Sequence, residues 1–235
     1  MLKVKDLRAG YGSINVLWDI SFDVGEGEVV SVLGSNGAGK TTVVRALSGL
    51  IKVSGGSVNF NGTELAGRST IDFLSAGIVQ VPEGRQLFVE MTVSENLFMG
   101  AFSKEAKARY QENLKIVYEY FPRLEEREKQ LAGTLSGGEQ QMVAVARGII
   151  AMPKLIIFDE PSLGLAPNLV DQILAVAKQL AKEQGLSVIL VEQDVRKALR
   201  VSDRGYVMEN GALVLSDTAE KLMVNDEVKR AYLGF

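Results

Sequence analysis

An apolar, β-branched run, Glu28-Val29-Val30-Ser31-Val32-Leu33, feeds directly into Gly34-Ser35-Asn36-Gly37-Ala38-Gly39-Lys40-Thr41, and helical spacing begins at Lys40. This order of strand, glycine-rich loop and helix constrains the chain more than any other feature. The string fits G-x-x-x-x-G-K-[ST] in the context that motif requires. Such a loop turns backbone N–H groups inward around phosphates, and the helix start adds partial positive charge. Lys40 is placed to reach the β- and γ-phosphates, and the Thr41 hydroxyl to ligate Mg²⁺. Val43, Val44, Leu47 and Leu50 share one face, so a helix is expected over Lys40 to Leu50.

Elsewhere the chain reads as alternating strands and helices. Leu2 to Leu7 and Ile20 to Val24 alternate apolar and polar residues, with breaks at Tyr11-Gly12 and Gly25-Glu26-Gly27. From about Thr92 to Arg147 the character is helical: Thr92-Val93-Ser94-Glu95 is a capping-box pattern opening a helix, and Ser103 to Phe121 is strongly charged and helix-favouring, with Tyr110, Leu114, Val117 and Phe121 at spacings of three or four. A solvated helical hairpin with no task of its own remains open for 103–130. Leu155 to Phe158 and Ser187 to Val191 read as central parallel strands separated by a helix over Pro167 to Glu183. Arg204 to Glu209 and Ala212 to Leu215 flank Asn210-Gly211, a hairpin signal, and the tail from Thr218 to Phe235 reads as one or two short helices.

Two further strings carry chemistry. Leu155-Ile156-Ile157-Phe158 runs into Asp159-Glu160, and carboxylates at the C-terminal end of a parallel strand face the crevice where α/β sheets bind ligands. Asp159 there can hold Mg²⁺, and Glu160 can accept a proton from an attacking water. Leu135-Ser136-Gly137-Gly138-Glu139-Gln140-Gln141 opens an apolar helix, so its serine and glycines form a second anion-binding nest. One nucleotide needs only one cradle. Two chains arranged head to tail would use both.

Composition removes other chemistries. Among 235 residues there is no cysteine and no histidine, which excludes disulfides, thiolate or imidazole metal sites, and Cys or Ser-His-Asp catalysis. The net charge of −3 supplies no positive field for nucleic acid or anionic lipid. No stretch approaches the ~20 apolar residues of a membrane helix, and Met1-Leu2-Lys3-Val4-Lys5-Asp6 lacks the apolar core of a signal peptide. The expectation is a cytoplasmic protein, with any membrane role exerted through a partner.

Together the three strings resemble those of the ATP-binding cassette (ABC) ATPases, over essentially the whole chain. The resemblance implies a P-loop NTPase: an α/β, RecA-like core over about 1–86 and 148–235, with an antiparallel β subdomain and a helical subdomain inserted at about 87–147. It implies MgATP gripped by Gly34 to Thr41 and Thr42 of one subunit, and by Ser136, Gly137 and Gly138 of another. Tyr11 would stack on adenine with Val16 beside it. Thr41, Glu83 and Asp159 would serve the metal, and Lys40, Glu160 and Gln193 the reaction. Glu83 and Gln193 stand where this family usually has glutamine and histidine. Gly164-Leu165-Ala166-Pro167 also lacks the aspartate that usually ends the interface loop.

Val81-Pro82-Glu83-Gly84-Arg85, Glu160 to Pro167 and Val191-Glu192-Gln193-Asp194 resemble the ATPase subunits of bacterial branched-chain amino acid importers. The partners then implied are two integral-membrane permease subunits, a second ATPase subunit and, indirectly, an external substrate-binding protein. Relatives that move urea, short amides or other amino acids would share these strings. A soluble ABC ATPase working on nucleic acid or ribosomes fits poorly, because the chain has one cassette and an acidic balance. A nucleotide kinase or GTPase leaves Leu135 to Gln141 unexplained.

Overall fold

The computed structural model describes residues 1–233, so the last two residues of the expected tail helices lie outside the described residues. The chain opens with an antiparallel pair, β1 (Leu2–Tyr11) and β2 (Ile14–Val24). Leu2 and Val4, then Leu7 and Ala9, turn inward along β1; the period of two is reset between Val4 and Leu7 by a register shift where Asp6 adopts left-handed backbone (φ 49). Both strands extend beyond the alternating stretches, up to a tight turn at Gly12-Ser13. β3 (Val29–Leu33) follows, buried at every position. The helix α1 (Lys40–Leu47) ends three residues earlier than its apolar spacing predicts, because the Leu50 N–H closes back on the Arg45 carbonyl at 2.9 Å.

β4 (Val53–Phe60), β5 (Thr63–Glu64), α2 (Thr70–Ala76) and β6 (Ile78–Val81) lead to a run of helices. These are α3 (Val93–Gly100), α4 (Lys104–Ala108), α5 (Tyr110–Tyr120), α6 (Pro122–Glu126) and α7 (Gly137–Ile150). The helix-favouring stretch from Ser103 to Phe121 forms two helices, α4 and α5, separated at Arg109, which leaves the helical region of backbone space (φ −100, ψ 14). Capping boxes start α3 at Thr92–Glu95 and α7 at Ser136–Glu139; each cap contributes about 1 kcal/mol. The chain then alternates through β7 (Leu155–Asp159), α8 (Pro167–Gln184), β8 (Ser187–Glu192) and α9 (Val195–Val201). The hairpin β9 (Arg204–Glu209) and β10 (Ala212–Thr218) turns at Asn210 (φ 48) and Gly211 (φ 79), the primed geometry that Asn-Gly predicts. Two short helices follow, α10 (Ala219–Val224) and α11 (Asp226–Val228).

The strands form two sheets. One has four antiparallel strands in the order β2-β1-β4-β5; the other has six in the order β10-β9-β3-β8-β7-β6, parallel except at β10. Alternate residues of the larger sheet feed two different cores. Val29, Leu33, Ile156, Phe158, Val188 and Leu190 pack against buried residues of α5, α7, α8 and α9. Val30, Val32, Ile157, Ile189 and Val191 pack against α1 and the smaller sheet. Fully buried on both faces, these strands read as continuous apolar runs. Because β3, β6, β7 and β8 run parallel, the segments that follow each of them emerge along one edge of the sheet. Those segments carry Gly34 to Lys40, Glu83, Glu160 and Gln193.

Candidate active site

Gly39 caps α1 in left-handed backbone (φ 104), and Lys40 is the first helical residue, 4% exposed. A buried ammonium needs three acceptors, and Lys40 Nζ has them: the Gly34 carbonyl at 2.9 Å, the Ser35 carbonyl at 3.1 Å and Glu160 Oε1 at 3.2 Å. The loop is backed from outside by the β9–β10 turn, since the Gly211 N–H donates to the Ala38 carbonyl and the Trp18 N–H to the Gly211 carbonyl. That turn thus ties the glycine-rich loop to β2, the strand that carries Val16.

A cleft of about 230 Å³ is lined by Tyr11, Val16, Asn36, Gly37, Gly39, Lys40, Thr41, Thr42 and Glu160. It brings the aromatic residue at the end of β1 together with the loop and the acid at the end of β7. Tyr11 is 41% exposed; its hydroxyl accepts from Arg45 Nη1 at 3.1 Å, and the Arg45 guanidinium lies 5.8 Å from its ring centre. An adjoining cleft of about 400 Å³ shares Thr41 and is lined also by Arg45, Leu50, Gln80, Pro82, Glu83, Gly84, Gln86 and Asp159. The three residues expected at a metal, Thr41, Glu83 and Asp159, therefore line one cavity.

Asp159 is the strained member electrostatically. It is 3% exposed, and burial pushes its carboxyl up to about 6, with the charges of Glu83 and Glu160 adding to the rise. Its Oδ2 accepts from Gln80 Nε2 at 3.3 Å, while Oδ1 is buried with no hydrogen-bond partner. An orphaned carboxylate oxygen beside a hydroxyl and a second carboxylate fits a hard divalent cation such as Mg²⁺, which prefers oxygen ligands.

Glu160 directly follows β7, with its backbone in the left-handed region (φ 48), uncommon for a residue with a side chain. Its two carboxylate oxygens are both engaged, Oε1 by Lys40 and Oε2 by the Gln193 amide. Gln193 thus touches the same acid that the sequence assigns as the base.

Ser136, Gly137 and Gly138 line neither cleft. Ser136 Oγ donates to Glu139 Oε2 at 2.7 Å on an exposed surface, and Gly138 packs so closely on α8 that a Cβ there would lie 2.1 Å from Leu169 Cδ1. The loop amides and this second nest therefore occupy separate places on one chain. Three contacts were not anticipated from sequence. Gln80 reaches Asp159, Arg45 holds Tyr11, and Glu192 engages Ser162. The one available signal for Gln80 was its position as the lone polar residue in Ile78-Val79-Gln80-Val81.

Comparison with known proteins agrees with this geometry. The family model described as ABC transporter matches residues 17–163. The high-affinity branched-chain amino acid transport ATP-binding protein BraG of Pseudomonas aeruginosa is 46% identical over 234 residues, covering all of both chains. The probable branched-chain amino acid transport ATP-binding protein LivF of Archaeoglobus fulgidus is 32% identical, covering all of this chain and 99% of that one. Among solved structures, the ADP conformation of an ATP-binding cassette of an ABC transporter superposes with a TM-score of 0.85 at 26% identity, over 100% of this chain and 99% of the other. A dimeric post-hydrolysis cassette bound to ADP and Pi gives 0.77 at 27% identity, over 93% and 99%. With the phosphate loop, the paired acids and the fold in place, the chain belongs to the ABC transporter family as one of its ATP-binding cassettes, an ATPase coupled to transport.

Proposed function

We propose that this chain hydrolyses MgATP to drive a bacterial-type importer of branched-chain amino acids (leucine, isoleucine and valine), as a peripheral subunit on the inner face of the cell membrane. The observation that carries the site assignment is the single cleft shared by Tyr11, Val16, the glycine-rich loop and Glu160. Full-length similarity to BraG supports the cargo. Among the described residues no helix is long and apolar enough to cross a membrane; in this reading two integral-membrane permease subunits supply the passage.

In this reading the triphosphate lies on the N–H groups from Gly34 to Gly39, with Lys40 against the β- and γ-phosphates and the base stacked on Tyr11 beside Val16. Bound Mg²⁺, held by Thr41, Asp159 and Glu83, would supply charge neutralisation on the phosphate oxygens. Glu160 accepts the proton of the attacking water, and Gln193 orients Glu160 and hydrogen-bonds the γ-phosphate through its amide. Gln193 has no titrating proton, so its part is positional. Charge on the transferring phosphoryl group is offset by Lys40 and the loop dipoles. Ser136, Gly137 and Gly138, which line neither of this chain's clefts, would clasp the nucleotide of a second ATPase subunit, and that subunit's matching serine and glycines would complete the clasp here. A heterodimer with a different ATPase is the proposed physiological form. A core over about 1–86 and 148–235 and a helical insertion over about 87–147 would act as the two lobes, with the permease docking near Glu83 to Met91.

The test is to purify the chain with its native membrane partners, reconstitute them in vesicles with the external binding protein, and measure ATP-dependent uptake. Uptake of leucine, isoleucine and valine supports the proposal. ATP-driven movement of urea or another amino acid, with none of these three, overturns the cargo. Transfer of phosphate to a nucleotide or sugar rather than water overturns the reaction.

A further inference from the structure

Glu192 ends β8 with 2% exposure, and the reaction described above gives this buried carboxylate no part. Its surroundings are built. Oε1 accepts the Ser162 backbone N–H at 3.1 Å, while Oε2 accepts the Ser162 hydroxyl at 2.8 Å and the Gln193 N–H at 3.3 Å. Three donors converge on two accepting oxygens, a demand that a carboxylate meets and an amide does not. The cost is a buried charge: burial pushes the Glu192 carboxyl upward, and the negative charge of Glu160 adds a little to the rise.

Ser162 lies two residues beyond Glu160, in the turn that the Leu163 N–H closes on the Glu160 carbonyl at 3.2 Å. That turn has to hold Glu160 in left-handed backbone (φ 48), a strained conformation for a residue with a side chain that persists only when its surroundings fix it. Glu192 grips the turn through Ser162, and its neighbour Gln193 grips the Glu160 carboxylate. Glu192 itself pairs in register with Leu33, the residue before Gly34.

We infer that Glu192 is a positioning residue for ATP hydrolysis: it clamps Ser162 so that Glu160 stays aimed at the water. The clamp also fixes the start of the Leu163-Gly164-Leu165 loop from within the same chain. This inference rests on Glu160 being the base.

The experiment compares ATP turnover of the parent, Glu192→Gln, Ser162→Ala, Ser162→Thr and the double variant Ser162→Ala/Glu192→Gln, each first checked for an unchanged circular dichroism spectrum. Glu192→Gln keeps the shape but loses one acceptor, so kcat should fall about tenfold while KM for MgATP stays within about twofold. Ser162→Ala should lower kcat by a similar factor. Ser162→Thr, which keeps both donors, should restore the parent rate. The double variant should be no worse than Glu192→Gln alone, as expected of two residues acting through one contact. Parent-like kcat in Glu192→Gln, a loss expressed in KM, or multiplicative losses in the double variant would overturn the clamp. Glu160→Gln in the same assay keeps the two readings apart. If it is inactive while Glu192→Gln is unimpaired, only the clamp fails; if it turns over normally, the assignment of the base fails.

Discussion

Glu160→Gln isolates the pair at the centre of the site. Both oxygens of Glu160 accept, one from Lys40 and one from Gln193. An amide has a single accepting oxygen, so the variant can serve Lys40 only by turning its NH₂ toward Gln193, whose own amide must flip to accept it. The Lys40–Glu160 separation of 3.2 Å corresponds to roughly 5 kcal/mol of gross attraction at an effective dielectric near 20. Removing one member of a buried pair costs about 3–5 kcal/mol. Lys40 keeps the Gly34 and Ser35 carbonyls and gains an amide oxygen, which holds the expected net loss to about 2 kcal/mol, or ~4–8 °C in melting temperature for a chain of this size. Catalysis is a separate matter: losing a positioned general base lowers turnover by about 10²–10⁴. MgATP binding should be retained or tightened, because a negative charge beside the triphosphate is gone, and a nucleotide-bound dimer should accumulate. Thermal unfolding without nucleotide, equilibrium MgATP binding and phosphate release measure the three quantities independently. Parent-like phosphate release would reject Glu160 as the base. An unchanged melting temperature would reject the buried pair.

Lys40→Ala removes a charge-assisted contact worth about 1.5–3 kcal/mol, so MgATP affinity should drop about 10- to 100-fold with turnover falling alongside; parent values for both remove Lys40 from the site. Gln193→Ala frees one oxygen of Glu160 and should lower kcat about tenfold or more with MgATP affinity little changed, and normal hydrolysis by this variant would show that the amide has no part. Asp159 has its folded pKa raised from 3.8 to about 6, so the native state holds the extra proton in that window and stability falls as pH rises from about 4 to 6. In metal-free protein, Asp159→Asn should therefore gain up to about 3 kcal/mol over the parent above pH 6 and nothing below pH 4; a pH-independent difference between the two melting curves would refute this. Chelating Mg²⁺ should weaken ATP binding, and Glu83→Gln should recover a small part of that loss by removing a repulsion, whereas a further loss in the variant would show Glu83 to be attractive toward nucleotide.

What could be read from the sequence was whatever is encoded by contiguous residues. Gly34 to Thr41, Asp159-Glu160 and Asn210-Gly211 are short strings whose geometry is set locally, and each occupies the element expected of it. The parallel strands were legible because Val29 to Leu33, Leu155 to Phe158 and Ser187 to Val191 are, apart from Ser31 and Ser187, short apolar runs without alternation, as a sheet covered on both faces requires. The break at Arg109 was not legible, since Ser103 to Phe121 contains neither glycine nor proline and its residues favour helix throughout. Contacts across strands were the other blind spot. Gln80 meets Asp159 because β6 and β7 pair with Gln80 opposite Ile157, placing Gln80 on the face of Ile157 and Asp159. Glu192 meets Ser162 for a similar reason: the turn after β7 folds back over the end of β8. Both depend on sheet order, which periodicity does not reveal.

The distribution of charge gives the arrangement its logic. Glu83, Asp159 and Glu160 gather three carboxylates around the loop, against the cations of Lys40 and Arg45, all within the two adjoining clefts. A triphosphate adds further negative charge, so these residues alone repel what the loop amides attract. Mg²⁺, bound as proposed, would offset part of that excess. The start of α7, fourteen residues long and capped by Ser136, is a further source of partial positive charge, yet it stands apart from both clefts of its own chain. A helix start of that length, opened by two glycines and exposed at its cap, is most useful to a phosphate carried by a second subunit. In the proposed head-to-tail pair the closed form would be stable only while the triphosphate is intact, because hydrolysis splits the group that both halves would hold. Hydrolysis would then loosen the contact between subunits, and a cycle of closing and opening would be available to do mechanical work on a membrane partner.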